Sequence, residues 1–436
     1  MRRPVPVAPL YCAIALGLSA LAGCGSGSGD SPATTAGKST SLRMEAWCAM
    51  QDLPPALRET FIVVDERILK PAQQGNEFAE KNSAVRDAVM SFADPGSALE
   101  NGRSAARERI TLMVAPADGS APRQLFTGCL PGLTQAERTA ALQGESGVAR
   151  FFSGGKMQEL DEAIETFRAT VAGALIQAAR ATTPATASGE KNPLLSSLAA
   201  TSRIFRKTDT VPRVVLVSDE LPQPTVQDIV AARQEALAQA ARTPVDFGDA
   251  EVMAIGRGGN DNIRHAFLQT YLLRLNGKLA SWSADPSGAT PTPAPSTLRR
   301  YVGTAQYPGS PEGIVRIRLA MDSDGKLVNS WLILTGAPYE RAIPLTGQGV
   351  CNETGDCKLR ADNEGFANVW VAARGQKDDV QFDNEAPFGG MREWTLETSG
   401  NGLQGEIFDS AVSQVGSVPG QKSIGIKASL DPKANY

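Results

Sequence analysis

The stretch FIVVDERIL (Phe61–Leu69) decides how this chain is read. Phe61 to Val64 are apolar and mostly β-favouring, which suits a strand buried on both faces. Asp65 then stands where such a strand reaches its C-terminal end. Read as TFIVVDE (60–66), it is the first of four such runs; the others are ITLMVAP (110–116), RVVLVSDE (213–220) and EVMAIGRG (251–258). Between the runs the apolar period lengthens to that of a helix. Leu160, Ile164, Phe167, Val171 and Leu175 make one stripe over residues 157–180. Thr225, with Asp228 three residues on, marks a helix start before IVAARQEALAQAAR, and residues 260–280 read as a further amphipathic helix. Strands alternating with helices define a doubly wound α/β domain with a mostly parallel sheet. Ligands of such sheets sit outside the carboxyl ends of the strands, where Asp65 and Asp219 both fall.

Four segments in this order, FIVVDERIL, NPLLSSL (192–198), VVLVSDE (214–220) and VMAIGRG (252–258), resemble the von Willebrand factor A (VWA) family across roughly residues 44–283. The resemblance implies a divalent-cation site at the carboxyl end of the first strand, built from an Asp-x-Ser-x-Ser motif. Asp65 matches its aspartate, but Arg67 and Leu69 stand in place of the two serines. Asn192 stands where a threonine is expected, and Asp219 matches the late aspartate. Mg²⁺ requires near-octahedral hard oxygen ligands. Leu69 supplies no ligand atom, and the Arg67 guanidinium repels a cation and is suited to pair with Asp65 or Asp219. The expectation is therefore a VWA-like scaffold without a metal, whose rim of Asp65, Arg67, Asn192 and Asp219 is the candidate partner-binding surface.

The N-terminus carries a second signal. Arg2 and Arg3 precede the apolar stretch VAPLYCAIALGLSALAG, the pattern of an export signal. LAGC (Leu21–Cys24) resembles the lipobox of bacterial lipoproteins, which implies cleavage before Cys24 and lipid on that residue. Residues 1–23 are then the signal peptide, and the Gly/Ser/Thr-rich residues 24–43 a flexible tether. Gly25 rather than an aspartate follows Cys24, so in a two-membrane cell the outer membrane is favoured. With Cys12 lost and Cys24 lipidated, Cys48, Cys129, Cys351 and Cys357 remain in an oxidising compartment. Their grouping along the chain favours the pairs 48–129 and 351–357, the latter closing the short loop CNETGDC; buried free thiols are the alternative.

Residues 284–296 (ADPSGATPTPAPS) read as a Pro-rich linker, and the pattern changes beyond it. Val315, Ile317, Leu319 and Met321 alternate along one face before DSDG turns the chain. ADNEGFANVWV (361–371) resembles a strand of bacterial Ig-like domains. Residues 297–436 are accordingly expected to form an all-β sandwich, Ig-like by that resemblance.

Several chemistries find little support. The formal net charge of −4 leaves no basic footprint for nucleic acid. His265 is the single histidine, too few for a zinc site or a Ser-His-Asp triad with a recognisable elbow. GRGGND (256–261) lacks the spacing and the Lys-Ser/Thr pair of a phosphate loop and reads as a strand-to-helix turn. The sequence thus points to a lipid-anchored envelope protein with no cofactor, no metal and no catalytic residues, working through an unidentified protein partner in adhesion or support of an envelope assembly. The alternatives are an envelope hydrolase using the Asp65/Asp219 rim, or an accessory lipoprotein of a secretion or conjugation system.

Overall fold

A computed structural model describes residues 45–48, 53–143, 156–182, 193–200, 205, 209–243, 245–257, 261–306, 311–335, 339–361, 370–373, 380–381, 394–408 and 423–433. The signal peptide, Cys24, the tether, Asn192, residues 258–260 of the Gly-rich turn and residues 362–369 of the Ig-like stretch lie outside them.

Six strands form the first sheet: β1 (Arg58–Asp65), β2 (Arg109–Ala115), β3 (Arg123–Cys129), β4 (Val211–Val217), β5 (Ala250–Ile255) and β6 (Gly277–Ser283). Their order is β3-β2-β1-β4-β5-β6, parallel throughout except for β3, which runs antiparallel to β2. The period-2 geometry of a strand explains why the runs are apolar at nearly every position, because each face feeds its own core. Ile62, Val64, Ile110, Leu112, Val114, Val215 and Val217 point to one side. There they meet Phe78 of α1 (Gly75–Lys81), Val89 and Phe92 of α2 (Ser83–Ala93), Ala98 of α3 (Pro95–Glu100) and Phe167, Val171 and Leu175 of a long later helix. Phe61, Val63, Met113, Val214, Leu216, Val252 and Ala254 point to the other. They pack on three further helices downstream, through residues such as Leu198, Ala236 and Phe267.

The remaining helices among the described residues are α4 (Gln135–Gln143), α5 (Lys156–Ala181), which is the long one, α6 (Pro193–Ala199), α7 (Ile229–Ala241) and α8 (Asn262–Arg274). The expected stripe lies on α5, with Leu160, Phe167, Val171 and Leu175 buried. Two local expectations need correction. Asp228 alone caps α7, accepting from the Ala231 amide at 2.9 Å, whereas the Thr225 hydroxyl reaches Glu235 at 3.0 Å. The helix over 260–280 stops at Arg274 because Asn276 adopts φ 56°, which a helix cannot continue, and Gly277 opens β6.

Eleven antiparallel strands form the second sheet: β7 (Thr297–Gln306), β8 (Gly313–Met321), β9 (Ser330–Thr335), β10 (Tyr339–Leu345), β11 (Gly347–Cys351), β12 (Cys357–Ala361), β13 (Trp370–Ala373), β14 (Val380–Gln381), β15 (Trp394–Ser399), β16 (Gly402–Phe408) and β17 (Ser423–Leu430). Their order is β11-β12-β15-β16-β17-β7-β8-β9-β10-β13-β14. Val315, Ile317, Leu319 and Met321 share one core with Ile343 and Leu345 of β10 and with Leu359, Leu396, Leu403 and Ile424, so the sheet folds back over itself. The DSDG turn helps it to do so. Asp322 accepts from the amides of Asp324 and Lys326 at 2.9 Å each, and Gly325 takes φ 79°. The turn then lies against β11, with the Gly349 amide 2.8 Å from the Gly325 carbonyl. A Cβ at Gly325 would come within 2.5 Å of the Gly349 oxygen, so only glycine fits this approach.

The described residues from 45 onward belong to one compact unit, and the two sheets meet at the base of the first, where its parallel strands begin. Val211 packs there against Ala320 and Val328, and Leu273 against Trp331. Polar groups complete the joint. Asn329 donates to the Pro212 carbonyl at 3.1 Å and accepts from Trp331 Nε1 at 3.1 Å, and the buried Arg318 donates to the Asp249 carbonyl. Arg58 Nη1 donates to the carbonyls of Thr292 and Pro293 at 2.8 and 3.2 Å, which holds the Pro-rich segment against the first sheet.

Beneath this joint lies a buried charge cluster. Glu108 receives Arg58 Nη2 at 2.9 Å, Arg213 Nη2 at 2.8 Å and the Thr60 hydroxyl. Burial alone would raise its carboxyl, but the two guanidinium charges outweigh that cost and hold it at about 2. Two disulfides complete the frame. Cys48–Cys129 ties the segment ahead of β1 to the end of β3, and Cys351–Cys357 joins directly opposed residues of β11 and β12. No helix among the described residues is long and apolar enough to cross a membrane.

Candidate functional site

The strand order reverses between β1 and β4, so the connections leaving these two neighbours diverge and open a crevice at their carboxyl ends. Asp65 closes β1 there and is 1 % exposed, and Ser218 follows β4 directly. A short 3-10 turn, Glu66–Ile68, carries the chain away from β1 and brings Arg67 back over Asp65. The Arg67 amide donates to Asp65 Oδ1 at 3.0 Å, and its Nε and Nη2 lie 3.1 and 2.7 Å from Oδ1 and Oδ2. Ser218 Oγ donates to Oδ2 at 2.7 Å. Both oxygens of the aspartate are thus filled by the protein's own donors. Hydrogen bonding to Asp65, against the cost of partial burial, raises the Arg67 guanidinium above its ordinary value and keeps it charged.

Beyond Asp65 the guanidinium reaches outward through Nη1 to Glu220, whose side chain is 69 % exposed. Asp219, the position matched to the late aspartate, is exposed, and it is Glu220 that meets Arg67. Leu69 turns into the core beside β1. Glu66 fastens the far side of the rim by accepting from the Ala117 amide at 3.0 Å and from Arg123 Nη2 at 2.7 Å. Gly256, at the end of β5, packs so closely on β4 that a Cβ there would overlap the Ser218 carbonyl oxygen.

A divalent cation does not fit this arrangement. The position beside Asp65 holds a guanidinium, and Leu69 brings carbon. The rim therefore unites Asp65 and Arg67 from the sequence reading with Ser218 and Glu220, which that reading passed over. Both flank Asp219 in VVLVSDE, but residue type alone does not tell which of three consecutive polar side chains turns toward β1. His265 sits in the first turn of α8 and is partly buried, which lowers its imidazole. Asp261 caps that helix through the amides of Ile263 and Arg264 at 2.9 and 3.1 Å.

The fold and the crevice define an α/β layer with a salt-bridged rim, joined to an antiparallel β layer. Comparison with protein-family models gives no match, and comparison with curated proteins gives none either.

Proposed function

We propose that this is a lipid-anchored protein of the cell envelope whose VWA-like layer binds a protein partner through a rim that works without metal or catalysis. The export pattern and Cys24 support the anchor, with the Ig-like second layer as a rigid companion to the first. The observation that carries the reading is the pairing of Arg67 with Asp65 at the crevice between β1 and β4, where the VWA resemblance implies a cation. Adhesion and support of an envelope assembly both use such a surface.

Two measurements test it. Titration with Mg²⁺ or Ca²⁺ is expected to give no saturable heat and no rise in melting temperature, whereas a ligand of the folded state adds about 2.7 kcal/mol at a hundredfold excess over its Kd. Stabilisation by millimolar Mg²⁺ that disappears in Asp65→Ala would refute the metal-free rim. A photo-crosslinking residue at Asp219 is expected to capture a protein in intact cells, and one at the exposed Lys358 is not. Equal capture at both positions would refute the rim as the binding surface.

A further inference from the structure

The contacts that hold Arg67 do not exhaust it. A guanidinium carries five N–H donors in a planar fork. Nε and one hydrogen of Nη2 serve Asp65, and one hydrogen of Nη1 serves Glu220. Among the described residues, the second hydrogen on each Nη has no acceptor. Glu220 thus meets one Nη nitrogen with a single oxygen, where a carboxylate in line with the fork would meet two nitrogens.

The two acids that share the guanidinium differ in their freedom. Asp65 is buried and held by Ser218 Oγ at 2.7 Å, so it fixes the orientation of the fork. Glu220 is exposed, and Arg67 is its carboxylate's partner among the described residues. An exposed ion pair contributes little net stability, so replacing Glu220 by another carboxylate is a nearly balanced exchange.

We infer that the outward Nη groups of Arg67 receive an exposed Asp or Glu side chain of the partner protein, and that Glu220 is a built-in competitor which the partner displaces. The inference rests on the metal-free reading of the rim and supplies the chemistry of its partner. Lysine at position 67 offers a point charge without the fork and does not replace arginine here. Asp219 and Glu220 repel an incoming acid, so neutralising Glu220 removes both the competitor and one repelling charge.

The test follows the Arg67 Nε–H resonance of the ¹⁵N-labelled protein during titration with the amide of acetyl-glutamic acid, using the amide of acetyl-glutamine as the neutral control. Weak saturable binding of the acid is expected in the unmutated protein, at least fivefold tighter binding in Glu220→Gln, and none in Arg67→Lys as followed by neighbouring backbone amides. The inference is overturned if Glu220→Gln does not bind more tightly, if the neutral amide shifts the resonance equally, or if Arg67→Lys binds as well. A parallel Mg²⁺ titration separates the two failures. Saturable cation binding at Asp65 sinks the metal-free rim itself, whereas indifference to both probes sinks only the carboxylate inference.

Discussion

Replacing Glu108 by glutamine removes one charge from a cluster that is wholly enclosed. Arg58 and Arg213 then face each other with no anion between them, and Thr60 loses a strong acceptor. Breaking a buried ion pair from one side costs about 3–5 kcal/mol. The pH dependence gives an independent figure. The Glu108 carboxyl is held at about 2 against an ordinary 4.5, and at 1.36 kcal/mol per tenfold change this is about 3 kcal/mol. Because the folded value is depressed, that stability is present above about 4.5 and is lost as pH falls toward 2, with about 2.5 kcal/mol gone by pH 2.5. The assay is urea unfolding of both proteins between pH 7 and 2.5. The gap between them should be about 3 kcal/mol or more at pH 7 and should narrow steadily below pH 5. Other carboxylates titrate in both proteins, so the difference isolates Glu108. A gap below about 1 kcal/mol at neutral pH, or one that stays constant into acid, would refute the reasoning.

Removing the Cys48–Cys129 disulfide, which spans 81 residues, is expected to cost about 4–5 kcal/mol by chain entropy, against about 2 kcal/mol for Cys351–Cys357 over 6 residues; denaturant midpoints of the paired alanine variants check the order. Asn329→Ala should cost about 1–3 kcal/mol, because the Pro212 carbonyl and Trp331 Nε1 both lose their partner, and thermal melting against the unmutated protein reads it directly. Cys24→Ser should leave an unlipidated protein that moves to the aqueous phase on detergent extraction; retention with the membrane at the level of the unmutated protein would count against the anchor.

The sequence by itself determined the class of each half. Doubly apolar runs such as FIVV and VVLV suit a sheet covered on both faces, and the alternation from Val315 to Met321 marks one core face, although it did not reveal that Arg318 and Ala320 on the opposite face are buried against the first sheet. These signals are local, and they suffice to place Asp65 at a strand end. β3 and β6 escaped because RQLFTGC and GKLASWS are edge strands whose polar residues hide the pattern. The tertiary structure decided the rest. That Ser218 and Glu220 complete the rim depends on β1 and β4 being neighbours, although 153 residues separate Asp65 from Ser218 in the chain. That Glu108 binds Arg58 and Arg213 depends on strand register and on an enclosure strong enough to force charges into pairs. Local periodicity records which face of an element is buried; which side chains meet across elements is set by packing, and packing is decided only once the whole chain has folded.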